Sequence, residues 1–231
     1  MIEISSLKKQ YKEQVVLDIP ELVIQRKTCF GLVGNNGAGK TTLFRTILDL
    51  IRPTSGKVLI NGVDVAREES WKRFVGAYLD EHMLLTYLTP DEYFRVLGRL
   101  YGMSEADVLE HLAPFETFLN DEIIGKKKYL RDLSKGNIKK VGIVAALMGN
   151  PELILLDEPF ENLDPSSQVH LKRLIGHFID SGNKTFLISS HDLAHVTDLC
   201  DRIVLLEKGR ILKDLQEKAG MVDELNAYFG T

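Results

Sequence analysis

The sequence predicts an α/β fold with a mostly parallel central sheet, an antiparallel β subdomain at the N-terminus and an inserted helical lobe. Three observations predict it. The apolar runs CFGLV (29–33), LILL (153–156) and TFLI (185–188) are continuous rather than alternating, as in strands covered on both faces. Segments of helical period separate such runs, which is the βα alternation of a parallel sheet. Residues 89–133 carry helical segments and no strong strand, so they read as an insertion into the sheet-forming core.

In chain order, strands are expected at 2–7, 15–19, 29–33, 57–60, 75–79, 153–156, 185–188 and 202–207. The first two alternate polar and apolar residues and read as antiparallel. Ser104-Glu105-Ala106-Asp107 is a capping-box analogue, with Asp in place of the usual Glu, opening a helix to about Leu112. Asp164-Pro165 reads as an N-cap followed by proline at the first helical position, opening a helix to about Asp180 that Gly182 closes. A C-terminal helix is expected at about 221–229. The whole chain, 1–231, then forms a single domain: a core at 1–79 and 151–215 and a helical lobe at about 89–149.

Composition limits the function classes. The 231 residues are 44% hydrophobic and 27% charged, enough for a substantial core. Lys plus Arg number 29 against 33 for Asp plus Glu, a net charge of −4, and no global basic footprint points to nucleic acid. The apolar run 141–150 falls well short of the ~20 residues of a membrane helix. The opening MIEISSLKKQYK lacks the basic flank and apolar run of a secretory signal, and the two cysteines, Cys29 and Cys200, fit a reducing compartment. Lys126-Lys127-Lys128, the one run of like charge, reads as a solvated face.

The chemistry lies in the spacing of particular residues. Gly34-Asn35-Asn36-Gly37-Ala38-Gly39-Lys40-Thr41 matches G-x-x-x-x-G-K-[ST] between a strand and the helix TTLFRTILDL, the context that motif requires. Its glycines let the backbone wrap an anion, and the loop amides with the helix N-terminus direct donors at phosphate oxygens. Lys40 adds a full cation for the β and γ oxygens, and the Thr41 hydroxyl is a candidate Mg²⁺ ligand. The core is thus predicted to be that of a P-loop nucleoside triphosphatase. A buried strand, LILL, ends in Asp157-Glu158 and delivers both acids to the sheet edge that holds the phosphate loop. Asp157 is placed to hold Mg²⁺, and Glu158 to orient and deprotonate an attacking water.

These residues together resemble the ATP-binding cassette (ABC) ATPases. Leu133-Ser134-Lys135-Gly136-Asn137 is similar to the family's LSGGQ signature, Glu161-Asn162-Leu163-Asp164-Pro165 to its D-loop, and Ser189-Ser190-His191-Asp192 to its switch histidine. The resemblance covers about residues 1–215. It implies that adenine stacks on Tyr11 and that the phosphates rest on the loop through Thr42. Two cassettes would close head to tail, so that Ser134 and Gly136 of one complete the site of the other. Glu158 would be the base, with His191 and Lys40 as the other catalytic residues, and the cofactors would be ATP and Mg²⁺.

Two positions depart from the family pattern. Asp80 stands where the Q-loop has glutamine, and a carboxylate there can approach Mg²⁺ with Thr41 and Asp157 but donates no amide hydrogen bond. Lys135 and Asn137 alter the signature. An acidic residue at the Asp80 position and an LSKG signature resemble cassettes of bacterial drug and lantibiotic export systems, as does the run GAYLDEHMLLTYLT. The resemblance therefore implies the ATPase subunit of an exporter, cytoplasmic and peripheral on the inner face of the cell membrane. Its partners would be a second cassette, as homo- or heterodimer, and a separate transmembrane permease, with no nucleic acid expected. The groove for that permease would lie near residues 80–93, with Met83, Leu84, Leu85, Tyr87 and Leu88 as apolar contacts. The alternatives are a soluble, non-transport ABC ATPase and a regulatory cassette that binds ATP with low turnover.

Overall fold

The computed structural model describes residues 1–120 and 122–216; the helix expected at about 221–229 lies outside them. The strands are β1 (Ile2–Tyr11), β2 (Gln14–Ile24), β3 (Cys29–Val33), β4 (Ser55–Ile60), β5 (Val63–Asp64), β6 (Val75–Tyr78), β7 (Leu153–Leu156), β8 (Thr185–Ser190), β9 (Arg202–Glu207) and β10 (Arg210–Leu215). The α-helices are α1 (Lys40–Ile47), α2 (Pro90–Leu100), α3 (Glu105–Leu112), α4 (Glu116–Leu119), α5 (Lys135–Ala146), α6 (Pro165–Asp180) and α7 (Leu193–Val196). Among the described residues, no helix is long and apolar enough to cross a membrane.

Two sheets form. The first is antiparallel, in the order β2-β1-β4-β5; the second runs β10-β9-β3-β8-β7-β6 and is parallel except for the β9–β10 pair. Burial on both faces explains the continuous apolar runs. Leu153 and Leu155 of β7 enter one core cluster with Leu43, Phe44 and Ile47 of α1, while Ile154 and Leu156 enter a second with Val141 and Val144 of α5. Each of these four β7 side chains is fully buried, at roughly 1.5–3 kcal/mol apiece, so a strand of only four residues holds its place between β8 and the edge strand β6. In the antiparallel sheet only one face is covered: Ile2 and Ile4 are buried while Glu3 and Ser5 are exposed.

The helical insertion is continuous with the sheet core rather than separate from it. Phe94 of α2, Phe115 and Phe118 join the cluster that α5 shares with β7 and β8. The capping box expected at Ser104 is present, with reciprocal bonds between Ser104 and Asp107, and Thr89 with Glu92 forms a second at the start of α2. Asp164 caps α6 through the Ser167 amide, and Gly182 follows the helix with φ of 71°.

Two strands went unread from sequence. β5 has two residues, and β10, with sequence RILKDL, has no fully buried position, so neither shows a clear hydrophobic run; cross-strand pairing holds them, with Val63, Ile211 and Leu215 packed partly buried against the core. The hairpin β1–β2 also runs beyond the expected 2–7 and 15–19: its polar tip residues pair up to Tyr11 and Gln14, and at the far end β2 continues to Ile24, which pairs with Ile2 and is buried. Ser104→Ala removes the α3 cap and is expected to lower stability by about 1 kcal/mol, read as a shift of the urea midpoint at unchanged slope.

Candidate active site

Strand order assembles the site. β3, β8, β7 and β6 are neighbours, and their carboxyl ends carry the glycine-rich loop, His191, the Asp157-Glu158 pair and Asp80 in turn. The loop closes on itself through the Ala38 amide, which donates to Asn35 O at 3.0 Å. Gly39 caps α1 with φ of 110°, a left-handed conformation that side chains other than glycine's resist. A Cβ there would also stand 3.0 Å from Val16 O of β2. The loop is further held from outside by the Gly209 amide, which donates to Ala38 O at 2.8 Å. Asn35, Asn36 and Gly37 remain exposed at the tip, and Thr41 and Thr42 are half-buried behind it.

Lys40 is nearly buried, at 6% exposure, and its ammonium is fully engaged by neighbouring oxygen atoms. It donates to Gly34 O at 2.6 Å and Asn35 O at 3.4 Å, and pairs with Glu158 Oε1 at 3.1 Å. The other Glu158 oxygen lies 3.0 Å from His191 Nδ1 and accepts the His191 backbone N–H at 3.2 Å. Glu158 itself takes φ of 46°, a left-handed backbone that turns its carboxylate from the strand direction toward Lys40. Two further groups hold that turn: the Glu158 amide donates to Ser189 Oγ at 2.9 Å, and Lys139 donates to Glu158 O at 2.6 Å.

Asp157 is buried at 5% exposure and accepts from two hydroxyls, Thr41 Oγ1 at 2.5 Å and Ser189 Oγ. Burial pushes its carboxyl above the usual range, and the adjacent Glu158 adds to that; the two hydroxyl bonds and Lys40 oppose it. Burial likewise lowers the Lys139 ammonium, against the pull of Glu161 and Glu158. Thr41, Asp80, Asp157 and Glu158 line one cleft of about 350 Å³. Its donor set suits Mg²⁺, which binds through one or two carboxylates together with substrate phosphates rather than in a cage of protein ligands. Among the described residues there is no group of three or more His, Cys, Asp or Glu that could form such a cage.

Asp80 belongs to the cleft, but both its oxygens already have partners. Oδ2 pairs with Arg45 of α1 at 3.0 Å and Oδ1 accepts the His82 amide at 2.8 Å. A metal at Asp80 would have to compete with the guanidinium, which Thr41 and Asp157 do not face.

The signature residues sit elsewhere. Ser134 caps α5 by accepting the Asn137 amide, and it lines a second cleft, about 650 Å³, with Gly136, Asn137, Asn162 and Asp164. A Cβ at Gly136 would lie 2.6 Å from Asn162 O, so the signature helix and the D-loop are packed backbone to backbone there. Hydrogen bonds from Ser166 and Ser167 hold the Asp164 carboxyl far below the usual range, and Lys140 approaches it at 3.9 Å. Within one chain Ser134 and Gly136 therefore face a different space from Thr41, Asp157 and Glu158, and only Lys135 and Asn162 border both clefts. Tyr11 ends β1, half-exposed, with the Lys9 ammonium 4.7 Å from its ring centroid. Its hairpin partner β2 is the strand that touches the loop at Val16. A further cavity of about 590 Å³, at the opposite ends of the strands beside Arg26, Glu152 and Lys184, holds none of the motif residues.

Sequence reasoning assigned no role to Ser189, Lys139 or Arg45. Ser189 stood inside the quoted SSHD run, and Lys139-Lys140 in the middle of an apolar helix was a legible sign of a buried, partnered cation. Arg45 carried no signal, since its partner is 35 residues away.

The chain matches the family described as ABC transporter over residues 17–161. It is 34% identical over 230 residues to the ABC transporter ATP-binding protein YhaQ of Bacillus subtilis, covering 100% of this chain and 74% of that protein. The lantibiotic transport ATP-binding protein SrtF of Streptococcus pyogenes is 31% identical over 214 residues, covering 92% and 89% of the two chains. A solved structure described as the ATP-binding subunit of an ABC transporter superposes with a TM-score of 0.83 at 31% identity, covering 100% of this chain and 93% of that one.

Ser189→Ala removes a donor to Asp157 and the acceptor of the Glu158 amide at once. ATP turnover is expected to fall at least about tenfold, with a smaller change in nucleotide affinity and partial rescue by Ser189→Thr, as steady-state kinetics beside nucleotide titration would read.

Proposed function

The chain belongs to the ABC family of transporter ATP-binding subunits and is an ATP hydrolase of that type, and on this premise we propose how its own residues carry the reaction and what it drives. The observation that carries the reading is the contact chain Lys40–Glu158–His191, at 3.1 and 3.0 Å, beside Thr41–Asp157 at 2.5 Å. It joins residues of three separate sequence motifs by direct contact. ATP phosphates rest on residues 34–42, and adenine lies against Tyr11. Mg²⁺, held by Thr41 and Asp157, would neutralise charge on the phosphate oxygens.

The γ-phosphate competes for Lys40 with Glu158 Oε1. Once Lys40 turns to phosphate, that oxygen loses its cation and can accept the proton of the attacking water. The other oxygen stays anchored by His191, so Glu158 keeps its aim while its charge is released. Water oxygen bonds to the γ-phosphorus, the β–γ bridging bond breaks, and the proton moves to Glu158.

Because Ser134 and Gly136 border a separate cleft, they serve a second copy: each signature faces the γ-phosphate on the other's loop, and hydrolysis releases the pair. The load is a separate membrane permease, seated near Met83, Leu84, Leu85, Tyr87 and Leu88. Leu84 is in fact buried at 8% exposure, so Met83, Leu85 and Tyr87 are the exposed contacts of this groove. The transport is export, in line with the likeness to the lantibiotic transport protein. The chain then works at the inner face of the membrane through its permease.

Glu158→Gln is expected to bind ATP with near-normal affinity, to hydrolyse it at least about a hundredfold more slowly, and to elute as a dimer with ATP but a monomer with ADP. Unchanged turnover would remove Glu158 as the base. For the load, Tyr87→Glu is expected to abolish co-purification with the permease while leaving the basal ATPase rate intact.

A further inference from the structure

We infer that residues 126–131, with the exposed apolar side chains beside them, form a contact surface for an anionic lipid membrane. Lys126, Lys127, Lys128 and Arg131 are all exposed, and no ion pair to any of them is formed among the described residues. Among the described residues, Asp91 accepts the Gly125 amide at 3.0 Å beside Lys126, exposed Asp132 follows Arg131, and Glu122 lies 3.4 Å from the Asn137 side-chain amide. Four cations thus stand within six residues, with Asp91 and Asp132 beside them among the described residues, in a chain whose net charge is −4.

The backbone sets this run against an apolar edge. The Leu130 amide donates to Leu88 O at 2.8 Å and the Arg131 amide to Thr86 O at 3.0 Å, so the two segments lie side by side. The edge exposes Tyr87 at 60%, Tyr129 at 44% and Met83 at 42%, and the Arg131 guanidinium lies 4.9 Å from the Tyr129 ring centroid. Duplex nucleic acid, held through its phosphates, would meet the cations and leave the apolar side chains unpaired, and single-stranded DNA is set apart by the test below. Tyrosines and aliphatic side chains set beside a lysine run are what a headgroup layer rewards, since the rings sit at the interface while the ammonium groups meet anionic lipid. The surface shares Met83 and Tyr87 with the groove proposed for the permease, and a permease seated there would turn the lysines and Tyr129 toward the bilayer. That orientation rests on the permease reading, whereas binding to vesicles without permease does not, so the two fail separately.

The test is sedimentation of the full chain with vesicles of phosphatidylcholine, with and without phosphatidylglycerol, and no permease. Binding is expected only with phosphatidylglycerol and to weaken as salt is added. The triple variant Lys126→Glu/Lys127→Glu/Lys128→Glu is expected to lose roughly a hundredfold in partitioning. A control triple at exposed cations of another face, Lys57→Glu/Arg67→Glu/Lys72→Glu, makes the same change in net charge and should bind as the parent does. Unchanged ATP turnover in both triples shows that the fold is intact. No binding to anionic vesicles, equal loss in both triples, or equally tight binding to polyglutamate or single-stranded DNA would each overturn the lipid assignment.

Discussion

The ion pair between Lys40 and Glu158 is the interaction on which the rest of the site depends. Taking an ammonium and a carboxylate this far out of water costs several kcal/mol per ion unless each is met by opposite charge and hydrogen bonds. Lys40 is met by two loop carbonyls and Glu158; Glu158 is met by Lys40 and His191. Those partners come from β3, β7 and β8, so the pair exists only because the sheet orders these strands side by side. Asp157 follows the same rule: burial raises its pKa, and the hydroxyls of Thr41 and Ser189 limit the rise.

An arrangement that holds Lys40 with carbonyls and a carboxylate is already shaped for phosphate. The same economy runs through the D-loop, where a close approach at Gly136 lets the Asn162 carbonyl lie against the signature helix, and Lys139 reaches across to the Glu158 carbonyl. The two clefts therefore share a wall, and a shift of the D-loop would be felt at both.

Much of this was legible from residues alone because it is local. The G-x-x-x-x-G-K-T run, the acids at the end of LILL and the Asp164-Pro165 and Ser104 caps depend on neighbours within a few positions, and each is where the pattern placed it. Asp80 shows the limit. Its place at the end of β6 was readable, but its pairing with Arg45 was not, because an ion pair between residues 35 positions apart leaves no periodic trace. Leu84 shows the same limit in the other direction: one residue of an apolar run faces inward and its neighbours face out, which only packing decides.

By itself the sequence determined the family, the α/β alternation and the identity of the chemical groups, since these reside in short motifs and in runs whose apolar character reflects two covered faces. The tertiary structure alone decided which of those groups touch. It set Glu158 between Lys40 and His191, gave Asp157 to Thr41 and Ser189, turned Asp80 toward Arg45, and left Ser134 and Gly136 bordering a different cleft. The physical reason is that contact between distant residues is fixed by strand order and by the burial of both sheet faces, and neither is written in any single segment of the chain.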